Sequence, residues 1–157
     1  MLKKILGTVI AIALLIQLMP VEQSNPREMA PLAAPEQVRQ ILARSCYDCH
    51  SNKTKWPWYS RVAPVSWWVT DHVNEGREHL NFSNWGLSNA EDQAEYAEEI
   101  IEEVEEGKMP MASYLVGHPE AELSETDVAT LRAWTAQFVG VEHGEKRGGR
   151  PHDADDD

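Results

Sequence analysis

The chain has 157 residues, 42% of them hydrophobic, enough for one modest core with short appendages. Its formal net charge is −12, from 14 Lys and Arg against 26 Asp and Glu. That balance excludes nucleic acid as a partner, because phosphate recognition wants clustered cations. Six tryptophans are many for this length; they suit a fold that wraps something large and flat, and they also serve ordinary cores.

Residues 1–20, MLKKILGTVIAIALLIQLMP, stand apart from the fold. Lys3 and Lys4 precede an apolar run from Ile5 to Met19, broken only by Gly7, Thr8 and Gln17. A positive stretch before an apolar one is the pattern of an export signal. Lysines held on the cytoplasmic side send the remainder across the membrane. Met19-Pro20-Val21-Glu22 makes a poor cleavage site, so residues 5–21 are expected to persist as a tether to the inner membrane. A span needs roughly 17–25 residues, which this run reaches only with its ends counted, and a cleaved signal peptide is the alternative. Both readings put the domain in the periplasm. Residues 21–34, with two prolines and no periodicity, read as a linker.

The expected domain covers 35–139 and is all-α. PEQVRQILARSC carries Val38, Ile41, Leu42 and Cys46 at helical spacing, with Pro35 suited to a first turn. PVSWWVTDHVNEGREHL follows Pro64 and sets Trp68, His72, Val73 and His79 near one side. NAEDQAEYAEEIIEEVEEG puts Ala97, Ile100, Ile101 and Val104 on one face, acids on the other, and stops at Gly107. SETDVATLRAWTAQFVG opens with Ser124 and Asp127 at capping-box spacing and turns Val128, Leu131, Trp134 and Phe138 inward. No segment alternates as a strand would. Residues 140–157 are Gly-rich and charged, a pattern of disorder; His143 and His152 lie there as solvated side chains rather than metal ligands.

The only two cysteines lie in Cys46-Tyr47-Asp48-Cys49-His50. A disulfide across two residues closes a very small loop and restricts the unfolded chain little. A redox dithiol usually follows a strand and opens a helix, whereas these cysteines close one. Zinc would find three ligands, two of them adjacent, and no second pair. C-x-x-C-H is the signature of covalent haem attachment. Two thiols at this spacing reach the two vinyl groups of one porphyrin edge, and the next residue places its imidazole on the iron. Export agrees, since c-type haem is attached outside the cytoplasm. The expected cofactor is one covalent haem c, held by Cys46 and Cys49 with His50 as an axial iron ligand. Its second ring nitrogen should meet a loop carbonyl that the sequence does not identify. For the opposite axial position Met109 is the first choice, because EEGKMPMASY puts it after a helix stop and before Pro110. Met111, His72, His79 and His118 are the alternatives, and an open position is a further one.

The stretch SCYDCHSNKTKWPWYSRVAPVSWWVTDHVNEGREHLNFSNW, then GKMP, HPEAELS and the closing helix, resembles a family of small exported bacterial haem-binding domains. These are monohaem proteins similar to class I cytochromes c. The resemblance covers roughly 35–139 and matches Cys46, Cys49, His50 and Met109 position by position. It implies an all-α c-type fold and says little about the redox partner. It also implies that Trp56, Trp58 and Tyr59 pack on the porphyrin or reach a propionate, and that Arg61 or Arg77 neutralises propionates. Aromatics in a core and arginines in solvent are the equal alternative.

His/Met ligation closes the iron and raises its potential, so the expected role is electron transfer with redox proteins rather than catalysis. A haem sensor or peroxidase-like enzyme with an openable iron site, using His72 or His79, is the second hypothesis. A thiol oxidoreductase is the third. The acidic face of 90–106 reads as a solvated surface that also suits a basic partner.

Overall fold

The computed structural model describes residues 1–139. The tail that holds His143 and His152 lies outside them. Seven α-helices are present and no strand occurs among the described residues, as the hydrophobic spacing predicts. The chain divides into two compact units. The first is Met1–Ala33 with Leu42–Leu87; the second is Ala34–Ile41 with the chain from Ser88. The sequence leads one to expect a single domain from 35 onward. The early start of the first unit follows from how residues 17–33 use their polar groups, described below.

In the first unit, α1 (Leu2–Leu15) has no buried residue. Its 14 residues rise about 21 Å at 1.5 Å each, against roughly 30 Å of hydrocarbon. Among the described residues no helix is long and apolar enough to cross a membrane. Helix α2 (Glu36–Ser45) contributes residues to both units, and α3 (Tyr47–His50) follows it in the first. A 3-10 turn covers Trp58–Arg61, and α4 spans Val65–His79. Helix α4 departs from the expected face. Ser66, Thr70 and Val73 are its buried residues, while Trp68 and His79 are exposed and His72 is half-buried. The reason is local. Trp68 and His72 stack on each other at the surface, ring centroids 4.4 Å apart, and small side chains turn inward, where α4 packs against α3.

Residues 21–33, expected as a linker, form no helix but are stitched to the first unit through main-chain groups. The amides of Met29 and Ala30 donate to the Ser83 carbonyl at 3.2 Å each, and Leu32 N–H to Phe82 O at 2.8 Å. Gly86 N–H returns to Ala30 O at 2.9 Å. Leu32 itself is buried.

In the second unit, α5 (Ala90–Glu105) is capped by Asn89, whose Oδ1 accepts from the amides of Glu91 and Asp92 at 2.9 and 3.0 Å. It ends as expected at Gly107, φ +70, where a side chain would be strained. Lys108 N–H reaches Glu103 O and Gly107 N–H reaches Val104 O, the bond pair of a Schellman stop. Helix α6 (Ala112–Leu115) is a single turn. Helix α7 (Glu125–Val139) carries the predicted capping box: Ser124 N–H donates to Asp127 Oδ2 at 2.9 Å, and Asp127 N–H to Ser124 Oγ at 3.1 Å. Helices α5 and α7 pack together. Ala94, Ala97, Ile100, Leu131 and Trp134 are buried, and Arg132 bridges to Glu105 at 2.7 Å.

Candidate functional site

Helix α2 stops at Ser45, and Cys46 breaks the helical path with φ −127 and ψ −36. Its carbonyl then starts a new turn, accepting from Cys49 N–H at 3.2 Å and His50 N–H at 2.9 Å. Cys46, Cys49 and His50 therefore sit on one turn of helix, where residues three and four apart share a side. Both thiols are free and half-buried. Burial pushes Cys46 up to about 12 and Cys49 up to about 11, with each neighbouring negative charge, Cys49 and Asp48 respectively, adding to the rise. Thiols held protonated are poor partners in disulfide exchange, which counts against the oxidoreductase reading.

His50 is held from two directions by the segment after α4. Its Nδ1 lies 3.2 Å from the Leu80 carbonyl, and its own carbonyl accepts from Phe82 N–H at 2.8 Å. Leu80 is the extended C-cap of α4, so the end of that helix supplies the loop carbonyl that the sequence did not identify. Donation from Nδ1 to Leu80 O leaves the lone pair on Nε2, the form in which imidazole binds metal. Burial lowers the His50 pKa, outweighing the carbonyls of Leu80 and Gly76, which favour the charged ring. The ring is thus kept neutral.

Gly76 explains how α4 comes this close. A Cβ there would lie 2.9 Å from the Cys49 carbonyl oxygen and 3.2 Å from both its carbonyl carbon and its Cβ. Only a hydrogen fits. Sequence reasoning did not single out Gly76, although a glycine inside a helical pattern is a standing hint of close approach.

The loop after His50 is a polar lattice. Ser51 Oγ donates to Tyr47 O at 2.7 Å, and Thr54 Oγ1 to Asp48 O at 2.7 Å. Asn52 N–H meets Ser83 Oγ at 3.0 Å, and Asn81 Nδ2 meets Asn52 Oδ1 at 2.9 Å. Ser51, Asn52, Thr54 and Ser83 are all buried. Sequence reasoning missed them too; their signal was the run of small polar residues in HSNKT and LNFS.

The resemblance implies Arg61 or Arg77 at a propionate. The Arg77 guanidinium instead ties this loop to the N-terminal segment. Nε donates to Ser51 O at 2.8 Å, Nη1 to Ser24 O at 2.9 Å, and Nη2 to Asn25 Oδ1 at 3.1 Å and Thr54 Oγ1 at 2.8 Å. Four of the five N–H donors of the side chain are engaged inside the unit. Burial lowers its pKa, and no carboxylate is among these partners. Trp56 is half-buried with its indole N–H on Asn25 Oδ1 at 3.2 Å. Trp58 is 79% exposed and meets Tyr59 edge-on at 5.9 Å. Tyr59 is half-buried and Arg61 exposed. Of the predicted aromatic and basic group, the structure brings Trp56 and Arg77 together on Asn25 and leaves Trp58 and Arg61 at the surface.

Met109 is described within the second unit. It is half-buried, its amide donates to Glu103 O at 3.0 Å, and its peptide bond to Pro110 is cis. It follows the Schellman stop directly, so its main chain is fixed. Met111 caps α6, its carbonyl accepting from Tyr114 and Leu115. His72 Nδ1 meets Trp68 O at 2.9 Å, and His79 is exposed. His118 stacks on Tyr114 at 4.3 Å.

A family described as haem-binding domain matches residues 11–137. The chain belongs to the haem-binding domain family, and it is a haem-binding protein. Neither a curated protein nor a solved structure matches it. The donor set of the first unit fits the group: two thiols and a neutral imidazole on one helical turn, with the imidazole oriented through its far nitrogen.

Proposed function

We propose that the chain is an exported c-type cytochrome that carries one haem c covalently and transfers electrons. The observation that carries this reading is the turn Cys46–His50, with His50 Nδ1 on the Leu80 carbonyl. Cys46 and Cys49 would hold the group as thioethers, each S–H adding across a vinyl double bond, sulfur to one carbon and hydrogen to the other, with no net oxidation. His50 presents Nε2 to the iron, and α4 keeps the ring from turning. Met109 is proposed as the second residue that would hold the iron, because the helix stop fixes its backbone and Pro110 follows it. The bound group supplies a one-electron couple, raised in potential by His/Met ligation.

Export is supported by Lys3 and Lys4 in the first turn of α1, ahead of its apolar run from Ile5. Retention of that helix is supported by the segment after it, which is hydrogen-bonded into the first unit. The domain then works in the periplasm beside the inner membrane, with redox proteins as partners.

Two measurements on protein matured in a host that attaches c-type haem decide the central claim. After denaturing acid extraction the colour stays on the polypeptide, and the intact mass rises by one haem. Cys46→Ala with Cys49→Ala loses both signals. Haem that extracts freely from the wild type removes covalent attachment from the account. Fast, tight carbon monoxide binding to the reduced wild type removes the electron carrier in favour of an open-site sensor or peroxidase.

A further inference from the structure

After Lys3 and Lys4 in its first turn, helix α1 is apolar but for Thr8 and buries nothing, so it requires an apolar medium. Its far end is not free. The Gln17 side chain clamps Ala63 from both sides: Nε2 donates to Ala63 O at 3.0 Å, and Oε1 accepts from Ala63 N–H at 3.0 Å. Trp67 Nε1 adds a bond to Met19 O at 3.2 Å. The medium that receives α1 is therefore within reach of the corner between the 3-10 turn Trp58–Arg61 and the start of α4.

That corner is itself apolar and open. Trp58, Val62, Val65 and Trp68 are 79%, 44%, 42% and 46% exposed. The charge of the region is also unlike that of the molecule. From 49 to 70 the sequence holds Lys53, Lys55 and Arg61 and no acid, in a chain where acids outnumber bases 26 to 14. Lys53 is paired with Glu28 at 2.7 Å; Lys55 and Arg61 are exposed. Arg61 also borders a recess of about 220 Å³ with Gln17, Gln23 and Ser60. Exposed indoles flanked by cations are the composition of a membrane-interface belt, where the rings sit at headgroup depth and the cations meet anionic lipid.

We propose that the shoulder Trp58–Trp68 is a bilayer-docking surface, seated on anionic lipid headgroups beside the entry point of α1. It rests on the export reading for a bilayer to dock on, and it does not depend on haem chemistry. Docking places the loop after His50, which leads straight into Trp58, on the membrane side of the first unit.

The full-length holoprotein is incorporated into phosphatidylglycerol-containing vesicles whose lipids carry a diazirine high in the acyl chain. After illumination, adducts are mapped by mass spectrometry. Adducts within 58–68 as well as in α1 are expected. Trp58→Gln with Trp68→Gln, both exposed positions, should lower the 58–68 adducts several-fold and leave those in α1 unchanged. Adducts in α1 alone overturn the shoulder and leave the tether standing. No adducts in either segment overturn both. Protection of 58–68 by cross-linked dimers in place of lipid assigns the surface to a second copy and overturns the proposal.

Discussion

At Gly76 a single methyl group decides between two effects. Alanine gains about 1 kcal/mol of helix propensity over glycine, whereas overpacking costs about 1–3 kcal/mol. The atoms that the new Cβ would meet are Cys49 main chain at 2.9 and 3.2 Å; backbone cannot rotate aside, so overpacking wins. Gly76→Ala is expected to lower the denaturant midpoint and reduce haem per polypeptide; wild-type values for both would show that α4 slides away without harm. Arg77 yields a second test. Arg77→Gln strips a charged donor from four acceptors on the loop and the N-terminal segment, at about 1.5–3 kcal/mol for charge-assisted bonds. Arg77→Lys should rescue little, because an ammonium lacks the planar fork; full rescue would assign the effect to charge alone. The third concerns the axial ligand. A thioether favours ferrous iron, so Met109→Ala should lower the reduction potential and admit carbon monoxide, and Met111→Ala should do neither. Reversed effects would exchange the two methionines, and an effect of His72→Ala or His79→Ala alone would make the ligation bis-histidine. The proposed ligands of this site could be named from the sequence because C-x-x-C-H is contiguous. Their supports could not, since a carbonyl on Leu80 and a missing side chain at Gly76 carry no residue-type signature for their task.

The helices were legible where chain punctuation and periodicity agree. Pro35, Pro64, Asn89, Gly107 and Ser124 each fall at or beside an observed helix end. Helix α4 shows the limit of periodicity. Large apolar residues were expected to mark its inner face, but of these only Val73 is buried; Ser66 and Thr70 turn inward beside it, and Gly76 meets α3 at close range. Residues 21–33 show the other limit, because main-chain amides paired with residues some fifty positions away leave no pattern in side-chain types. The capping box of α7 invites a direct test. Ser124→Ala and Asp127→Ala should each cost about 0.5–2 kcal/mol. Each removes half of one reciprocal pair, so the double variant should lose clearly less than the sum of the singles. Additive losses, measured by urea denaturation, would mean that the two bonds act independently.

Across the molecule, setting aside Lys3 and Lys4 turns the formal charge of −12 into −14. On the proposed electron-transfer reading such a surface would draw a basic redox partner by long-range attraction, which salt screens over about 10 Å at 0.1 M. The second-order rate of electron transfer to a basic partner should fall as salt rises, and a rate indifferent to salt would remove electrostatic docking. Composition made this charge legible and concealed its gap between 49 and 70, which gains meaning once the exposed shoulder is seen as one surface. A last consequence concerns time. Cys46 and Cys49 stand together in any chain, folded or not, so on the proposed covalent reading the cofactor could be fastened to a chain that has no tertiary structure. The orientation of His50 is different, because Leu80 and Phe82 reach it only after α4 has settled over Gly76. If the proposed attachment holds, maturation would be ordered: attachment first, a set iron ligand second, and a chain halted between the two would be coloured yet loosely ligated.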